Sequence, residues 1–281
     1  MSGINNPSGG AASATALSIP NVSALPGLTT QSPFSQPMIP AFGFNGMNGC
    51  IVFGNVRAAM GEMSIAGTNT GSNTIAFNPS INGITTKRNF RQFNTSAVLN
   101  AQNYQRESGV GSLRKLRQSG SPFMPFTYKI RFGFSAQTVA GINFKATSRY
   151  INVLGDTATI DISGGISGLV NLFGIGKEDT DTEFYWIHND NAGVISKTAI
   201  GITYADCLEK MYDLYISTDG TNVGGLIVDL ASGNSFNYST SSELPANDFA
   251  IAWQAVGCAG SLDATGTGYI LSQVSVYDSL Y

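Results

Sequence analysis

Two runs of chemically capable side chains stand side by side in the stretch NLFGIGKEDTDTEFYWIHN, residues 171–189. The first is acidic. Glu178, Asp179 and Asp181 are clustered carboxylates of the kind that hold hard cations through oxygen, so they could bind Ca²⁺. Their order is not that of an EF-hand, and a solvated turn is the other reading. The second run is aromatic and amide-bearing: Tyr185, Trp186, His188, Asn189 and Asp190. A flat ring can take the apolar face of a sugar while amides and carboxylates bond its hydroxyls. These five are the candidate saccharide contacts, against a reading in which Trp186 is core and the rest end a hairpin. Catalysis finds no matching set. A glycosidase needs two carboxylates at a fixed separation, one of them with a raised pKa. Here Asp219 and Asp263 fall in turns, and Asp229 and Asp248 fall at strand ends. His188 is the sole histidine and no G-x-S-x-G is present, so no catalytic residue is assigned and the chain reads as a non-enzyme. Cys50, Cys207 and Cys258 show no C-x-x-C or Cys/His spacing, which leaves buried thiols or a Cys207–Cys258 disulfide rather than zinc.

The elements that must position these runs are strands. Leu172, Phe173 and Ile175 precede a polar connector, and Phe184 to His188 follow it, which is the pattern of a β-hairpin. The clearest strand is Phe126 to Ser135. Phe126, Tyr128, Ile130, Phe132 and Phe134 share one face and Thr127, Lys129, Arg131, Gly133 and Ser135 the other, so it is predicted to be half-buried with one wet face. Further strands are expected at residues 141–146, 160–162, 211–217, 225–230, 235–238, 249–255 and 269–277, separated by turn residues such as Thr218-Asp219-Gly220. Trp253 lies on an alternating apolar face and reads as core. The only helical candidate is short, Tyr204 to Met211. Strands at this spacing predict an all-β fold, an antiparallel sandwich of jelly-roll or concanavalin-like type over residues 85–281.

Charged residues make up 12% of the chain, well under the roughly 25% usual for soluble domains. They are also segregated. Residues 1–56 carry no charge, residues 57–150 carry 12 Lys or Arg against Glu62 and Glu107, and residues 151–281 carry Lys177, Lys197 and Lys210 against 16 acids. Dispersed along strands, the basic charges suit packing against the acidic third or against a neighbouring subunit better than nucleic acid, so no nucleic-acid partner is expected.

Residues 1–45 hold six of the ten prolines among apolar residues such as Leu17, Ile19, Phe34 and Phe44. Proline removes a donor and fixes φ, so this stretch predicts an extended arm that orders against other chains. Residues 46–84 read as a connector or collar of short strands, including 50–53 and 74–77, with turns at Gly54-Asn55 and Asn82-Gly83. The sequence begins without the basic and apolar regions of a secretion signal, and no long apolar run suggests membrane insertion.

The blocks FTYKIRFGFS (126–135), FGIGKEDTDTEFYWIHNDNAG (173–193), KTAIG (197–201), MYDLYIS (211–217), NVGGLIVDLASG (222–233), ELP (243–245) and YILSQVSVYDSLY (269–281), with the basic strand around residues 87–93, resemble the concanavalin-like β-sandwich domain of tailed-bacteriophage virion-surface proteins, tail fibres and receptor-binding proteins above all. The resemblance covers about residues 85–281. It implies a non-enzymatic virion component assembled in the bacterial host cytoplasm, a homotrimer, joined to other virion proteins through residues 1–45 and meeting a host cell-surface glycan. A head decoration or neck protein is the alternative, and a capsule polysaccharide depolymerase a weaker one.

Overall fold

The structure, a computed structural model, describes residues 47–53, 57–61, 65–67, 72–77, 79–81, 84–85, 88–107, 114–119, 126–136, 142–262 and 264–278. The arm expected over residues 1–45 and the turns expected at Gly54-Asn55 and Asn82-Gly83 lie outside them. In chain order the strands are β1 (Met47–Phe53), β2 (Arg57–Gly61), β3 (Ile65–Gly67), β4 (Ser72–Phe77), β5 (Ser80–Ile81), β6 (Ile84–Thr85), β7 (Arg88–Asn94), β8 (Gln102–Glu107), β9 (Arg114–Lys115) and β10 (Phe126–Phe134). They continue as β11 (Arg149–Asp156), β12 (Leu172–Lys177), β13 (Glu183–Asn189), β14 (Ser196–Thr203), β15 (Lys210–Thr218), β16 (Val223–Asp229), β17 (Ser235–Thr240), β18 (Ala250–Cys258) and β19 (Gly268–Asp278). The one helix among the described residues, the short α1 (Tyr204–Cys207), is capped by the Thr203 hydroxyl, which accepts the Asp206 N–H.

Two antiparallel sheets stack face to face. The first runs β17-β16-β15-β10-β19-β1-β2, with β7 also on β19 and β4 on β7; the second runs β14-β13-β12-β11-β18-β8-β3. Alternation in β10 aims Phe132 and Phe134 at the second sheet, and there they build an aromatic layer. Phe134 stacks on Phe144 at 4.0 Å and Phe184 at 5.3 Å, and Phe132 lies 5.6 Å from Tyr212 and 6.1 Å from Tyr150. Trp253 is fully buried, its indole N–H donating to Asn152 Oδ1 at 2.9 Å.

The wet face predicted for β10 is not wet. Lys129 is 2% exposed and Thr127 4%. The β4–β7 hairpin folds across this outer face, where Ile75, Phe77 and Phe90 pack with Met211, Tyr215, Leu226, Val228, Leu230 and Ile270. The fit is close at Gly133, where a Cβ would stand 2.5 Å from Met211 Sδ and 2.6 Å from the Lys210 carbonyl. The two cations of that face are neutralised in place. Asp213 meets Lys129 Nζ at 3.2 Å and takes Arg131 through two bonds of 2.7 and 2.8 Å. Burial alone would raise the Asp213 carboxyl, but the Lys129 charge and the Arg131 fork outweigh it and hold the group below its usual range. Alternation locates the two faces of a strand; it does not say whether one of them stays open.

The outer face of the second sheet is likewise covered, by residues 157–171. Ile160, Ile162 and Ile166 pack on Ile151, Val153, Leu172, Ile187 and Val256. Residues 160–162 were expected as a strand and are not one. Their amides bond side chains instead of a neighbouring strand: the Ile160 N–H donates to Gln254 Oε1 at 3.0 Å and the Ile162 N–H to Gln102 Oε1 at 2.8 Å. Residues 142–146 are irregular apart from a bridge residue at Ile142. Conversely, β11 has no alternation to reveal it because both of its faces are buried. The basic and acidic thirds do pack against each other, through Lys115–Asp248, Lys129–Asp213, Arg131–Asp213, Arg149–Glu178 and Arg149–Asp179. Cys207 and Cys258 are free and buried.

The buried pair gives a direct test. Asp213→Leu leaves Lys129 charged and enclosed, and is expected to cost about 3–5 kcal/mol in urea unfolding, whereas the double change Lys129→Met with Asp213→Leu is expected to recover most of that loss. Equal losses in the single and double variants would show that the pair is not what these residues contribute.

Candidate functional site

The hairpin β12–β13 carries both candidate runs, and its turn closes on β11 and the covering segment. β11 begins with Arg149, which lies beside the turn because Tyr150 pairs with Lys177. The Arg149 guanidinium meets Glu178 Oε2 at 3.1 Å and Asp179 Oδ2 at 2.8 Å, and donates to Asn100 Oδ1 at 3.0 Å and the Ser163 carbonyl at 2.6 Å. Glu178 Oε1 also accepts the Ile166 N–H. Asp179 Oδ2 accepts the Ser261 N–H at 2.9 Å and its hydroxyl at 2.6 Å. Burial works to raise the Asp179 carboxyl, but the Ser261 bonds and the Arg149 charge hold it below the usual carboxylate range. Asp181 turns elsewhere: its Oδ2 takes Lys197 Nζ at 2.6 Å and the Glu178 N–H at 2.9 Å. The three carboxylates expected to share a Ca²⁺ are thus divided among Arg149, Lys197, a hydroxyl and backbone amides. Among the described residues no group of three or more His, Cys, Asp or Glu side chains could hold a metal ion.

Behind this turn Lys177 is fully buried. Its ammonium donates to the carbonyls of Ala146 at 2.5 Å, Glu178 at 2.8 Å and Ser148 at 3.4 Å. Burial lowers its pKa to about 8, with the Asp181 charge opposing the shift.

The aromatic run does not form one solvent-facing patch. In β13 the residues Phe184, Trp186 and His188 point between the sheets, and Trp186 is 2% exposed, His188 3% and Asn189 2%. Trp186 lies so close to β16 that a Cβ at Gly225 would fall 2.2 Å from its ring. It stacks with Phe173 at 6.2 Å and Tyr238 at 6.3 Å. His188 stacks on Tyr238 at 5.6 Å; its Nε2 is 2.9 Å from the Tyr238 hydroxyl and its Nδ1 3.2 Å from the Glu243 carbonyl. A carbonyl only accepts, so Nδ1 carries the proton and Nε2 accepts from Tyr238. Asn189 donates to the Leu169 carbonyl at 2.7 Å, beneath the covering segment. Asp190 Oδ1 accepts the Ala192 N–H at 2.8 Å. Tyr185 lies on the opposite face, half-buried, with Lys197 Nζ 4.5 Å over its ring.

Solvent therefore meets this aromatic stack at Tyr238 and Phe236 of β17, both half-buried, and at the exposed Glu243, whose carboxylate accepts the Ser196 hydroxyl. Such an arrangement can present a rigid ring edge and hydrogen-bonding groups to a ligand. Tyr238, Glu243 and Arg149 were not singled out by sequence reasoning. The alternation of Phe236 with Tyr238 was the available signal for the first. Glu243 adopts φ +51, a value no composition argument reveals. Arg149 has no local signal because its partners are distant along the chain, among them the Ser163 carbonyl 14 residues away, Glu178 at 29 and Ser261 at 112.

The buried lysine makes stability depend on pH in a defined direction. An unfolded lysine titrates near about 10.4, so between pH 8 and that value the unfolded chain binds more protons than the folded one and stability rises with pH. Well below pH 8 Lys177 is protonated in both states and contributes no slope. Melting temperatures measured from pH 7 to 10 are expected to climb more steeply for the native chain than for Lys177→Met; matching slopes would count against this assignment.

No protein-family model and no curated protein matches this chain. Among solved structures, peanut lectin with a 9mer peptide is similar over 78% of this chain and 99% of its own, at 10% identity and a TM-score of 0.44. A protein of unknown function from Shewanella oneidensis MR-1 is similar over 89% of this chain and 94% of its own, at 11% identity and a TM-score of 0.49. The CBM2 module of the evolved Dit of Lactobacillus casei BL23 phage J-1 is similar over 84% of this chain and 97% of its own, at 11% identity and a TM-score of 0.47.

Proposed function

We propose that this chain is a non-enzymatic structural component of a tailed-phage virion, a homotrimeric fibre or receptor-binding protein anchored through residues 1–45, whose sandwich faces outward toward a host cell-surface glycan. The observation that carries the reading is where the family-like blocks fall. FTYKIRFGFS covers β10, MYDLYIS lies within β15, NVGGLIVDLASG covers β16 with its turn, YILSQVSVYDSLY takes in all of β19 but its first residue, and the long block takes in the β12–β13 hairpin but for Leu172. The resemblance therefore follows the hydrogen-bonded frame of both sheets rather than a stray turn. A binding or scaffold role is further supported by the acids. Glu178, Asp179, Asp181 and Asp213 are committed to cations and amides that hold the sandwich together, which suits a rigid platform better than a general acid and base.

The test is adsorption. Purified fluorescent protein added to a panel of bacterial strains is expected to bind at least one of them saturably and to block infection of that strain by the phage that encodes it. Particle-bound protein that adsorbs to none of the strains infected by that phage would favour the head-decoration or neck alternative. Removing residues 1–45 is expected to leave a folded sandwich that adsorbs to cells but no longer joins particles; incorporation of the shortened chain would remove the anchoring role.

A further inference from the structure

Sheet edges are sites of unsatisfied backbone donors and acceptors, and proteins normally guard them with charge, proline, bulges or kinks. β14, at one edge of the second sheet, is guarded. It carries Lys197, Gly201 stands at φ +83, and the register with β13 shifts between Glu183 and Tyr185. β17, the edge of the first sheet, has none of these devices. Its sequence Ser-Phe-Asn-Tyr-Ser-Thr contains no charge and no proline, and no residue in it has positive φ. Among the described residues it pairs with β16 alone, in unbroken register from Val223 against Thr240 to Val228 against Ser235. Its outward-facing side chains Asn237 and Ser239 are exposed.

The strand is also self-complementary. Reversed about Asn237, the order Ser235, Phe236, Asn237, Tyr238, Ser239 reads Ser, Tyr, Asn, Phe, Ser. In an antiparallel pair of two copies centred on that residue, Asn237 faces Asn237, each Phe236 faces a Tyr238, and each Ser235 faces a Ser239. The two aromatic pairs fall on the inner side, where Phe236 and Tyr238 pack against the core, and the amide and hydroxyl pairs fall on the outer side. Each Tyr238 is already held by stacking on Trp186 and by the bond to His188, so little side-chain freedom is lost on pairing.

We propose that β17 is a two-fold interface through which a second copy of this chain extends the first sheet across the particle, by strand addition in this register. The contact is independent of the three-fold proposed above. Without a three-fold it closes at two chains, and with a three-fold crossing it at right angles it closes at six.

Register-specific cross-linking tests it. Residues that face each other across an antiparallel pair have Cα atoms about 4.5–5.5 Å apart, within disulfide reach. The full-length chain carrying Asn237→Cys, oxidised at micromolar concentration, is expected to run at twice the 29.5 kDa chain mass on a non-reducing gel. Ser239→Cys is expected not to, because it faces Ser235 of the other copy. The native chain, with its own cysteines, is the control. Asn237→Asp, which sets two carboxylates face to face, is expected to raise the dissociation concentration at least about tenfold with the fold retained by circular dichroism. Absence of the Asn237→Cys cross-link in folded protein, or equal cross-linking by Ser239→Cys, would overturn the pairing. A three-chain particle that still adsorbs to cells would overturn it too, and would leave the virion reading intact.

Discussion

Phe134 lies 4.0 Å from Phe144 and 5.3 Å from Phe184, and around these three rings Tyr150, Phe132 and Tyr212 close a layer of offset and edge-on contacts between the sheets. Rings of this size leave little room for lateral slip, because each stands in the gap between two others. The consequences run outward. Register in β10 and β15 follows from which residues must reach the layer, and so does the choice of glycine where two elements cross it closely. Gly225 is one such case, since a side chain there would collide with the Trp186 ring.

Covering both sheets on their outer sides changes the electrostatics of the whole molecule. Strands with charged outer faces can stay solvated when those faces are open, and here they are not. Lys129, Asp213, Arg149, Asp179 and Lys177 are enclosed by the β4–β7 hairpin or by residues 157–171 and the turns beside them. Each must find a partner inside, because a buried charge left alone costs far more than the pair returns. The low overall charge of the chain follows the same logic: few charges are present, and several of them are structural.

The same enclosure bears on recognition. The aromatic stack of Phe173, Trp186, His188 and Tyr238 is interior except at its lateral end, where β17 and the residues after it meet solvent. Contacts with other molecules are therefore expected along edges and turns, and not on a broad open sheet face.

The all-β class, the β12–β13 hairpin, the alternation of β10 and the core position of Trp253 were legible in the sequence, because each depends on local periodicity and turn chemistry. The pairing of basic with acidic thirds was legible too, as a charge count. The fate of the second face of β10, the existence of β11, the irregular path of residues 157–171 and the role of Arg149 were not. All four depend on contacts between residues distant along the chain. A strand buried on both faces loses its alternation, and a segment whose amides are satisfied by Gln102 and Gln254 looks like a strand without being one. For the candidate site the sequence supplied the residue types, and the tertiary structure decided which were reachable. Period two sends Trp186 and His188 inward as firmly as it sends Tyr185 outward, and only the packing of β16 and β17 shows where the stack ends.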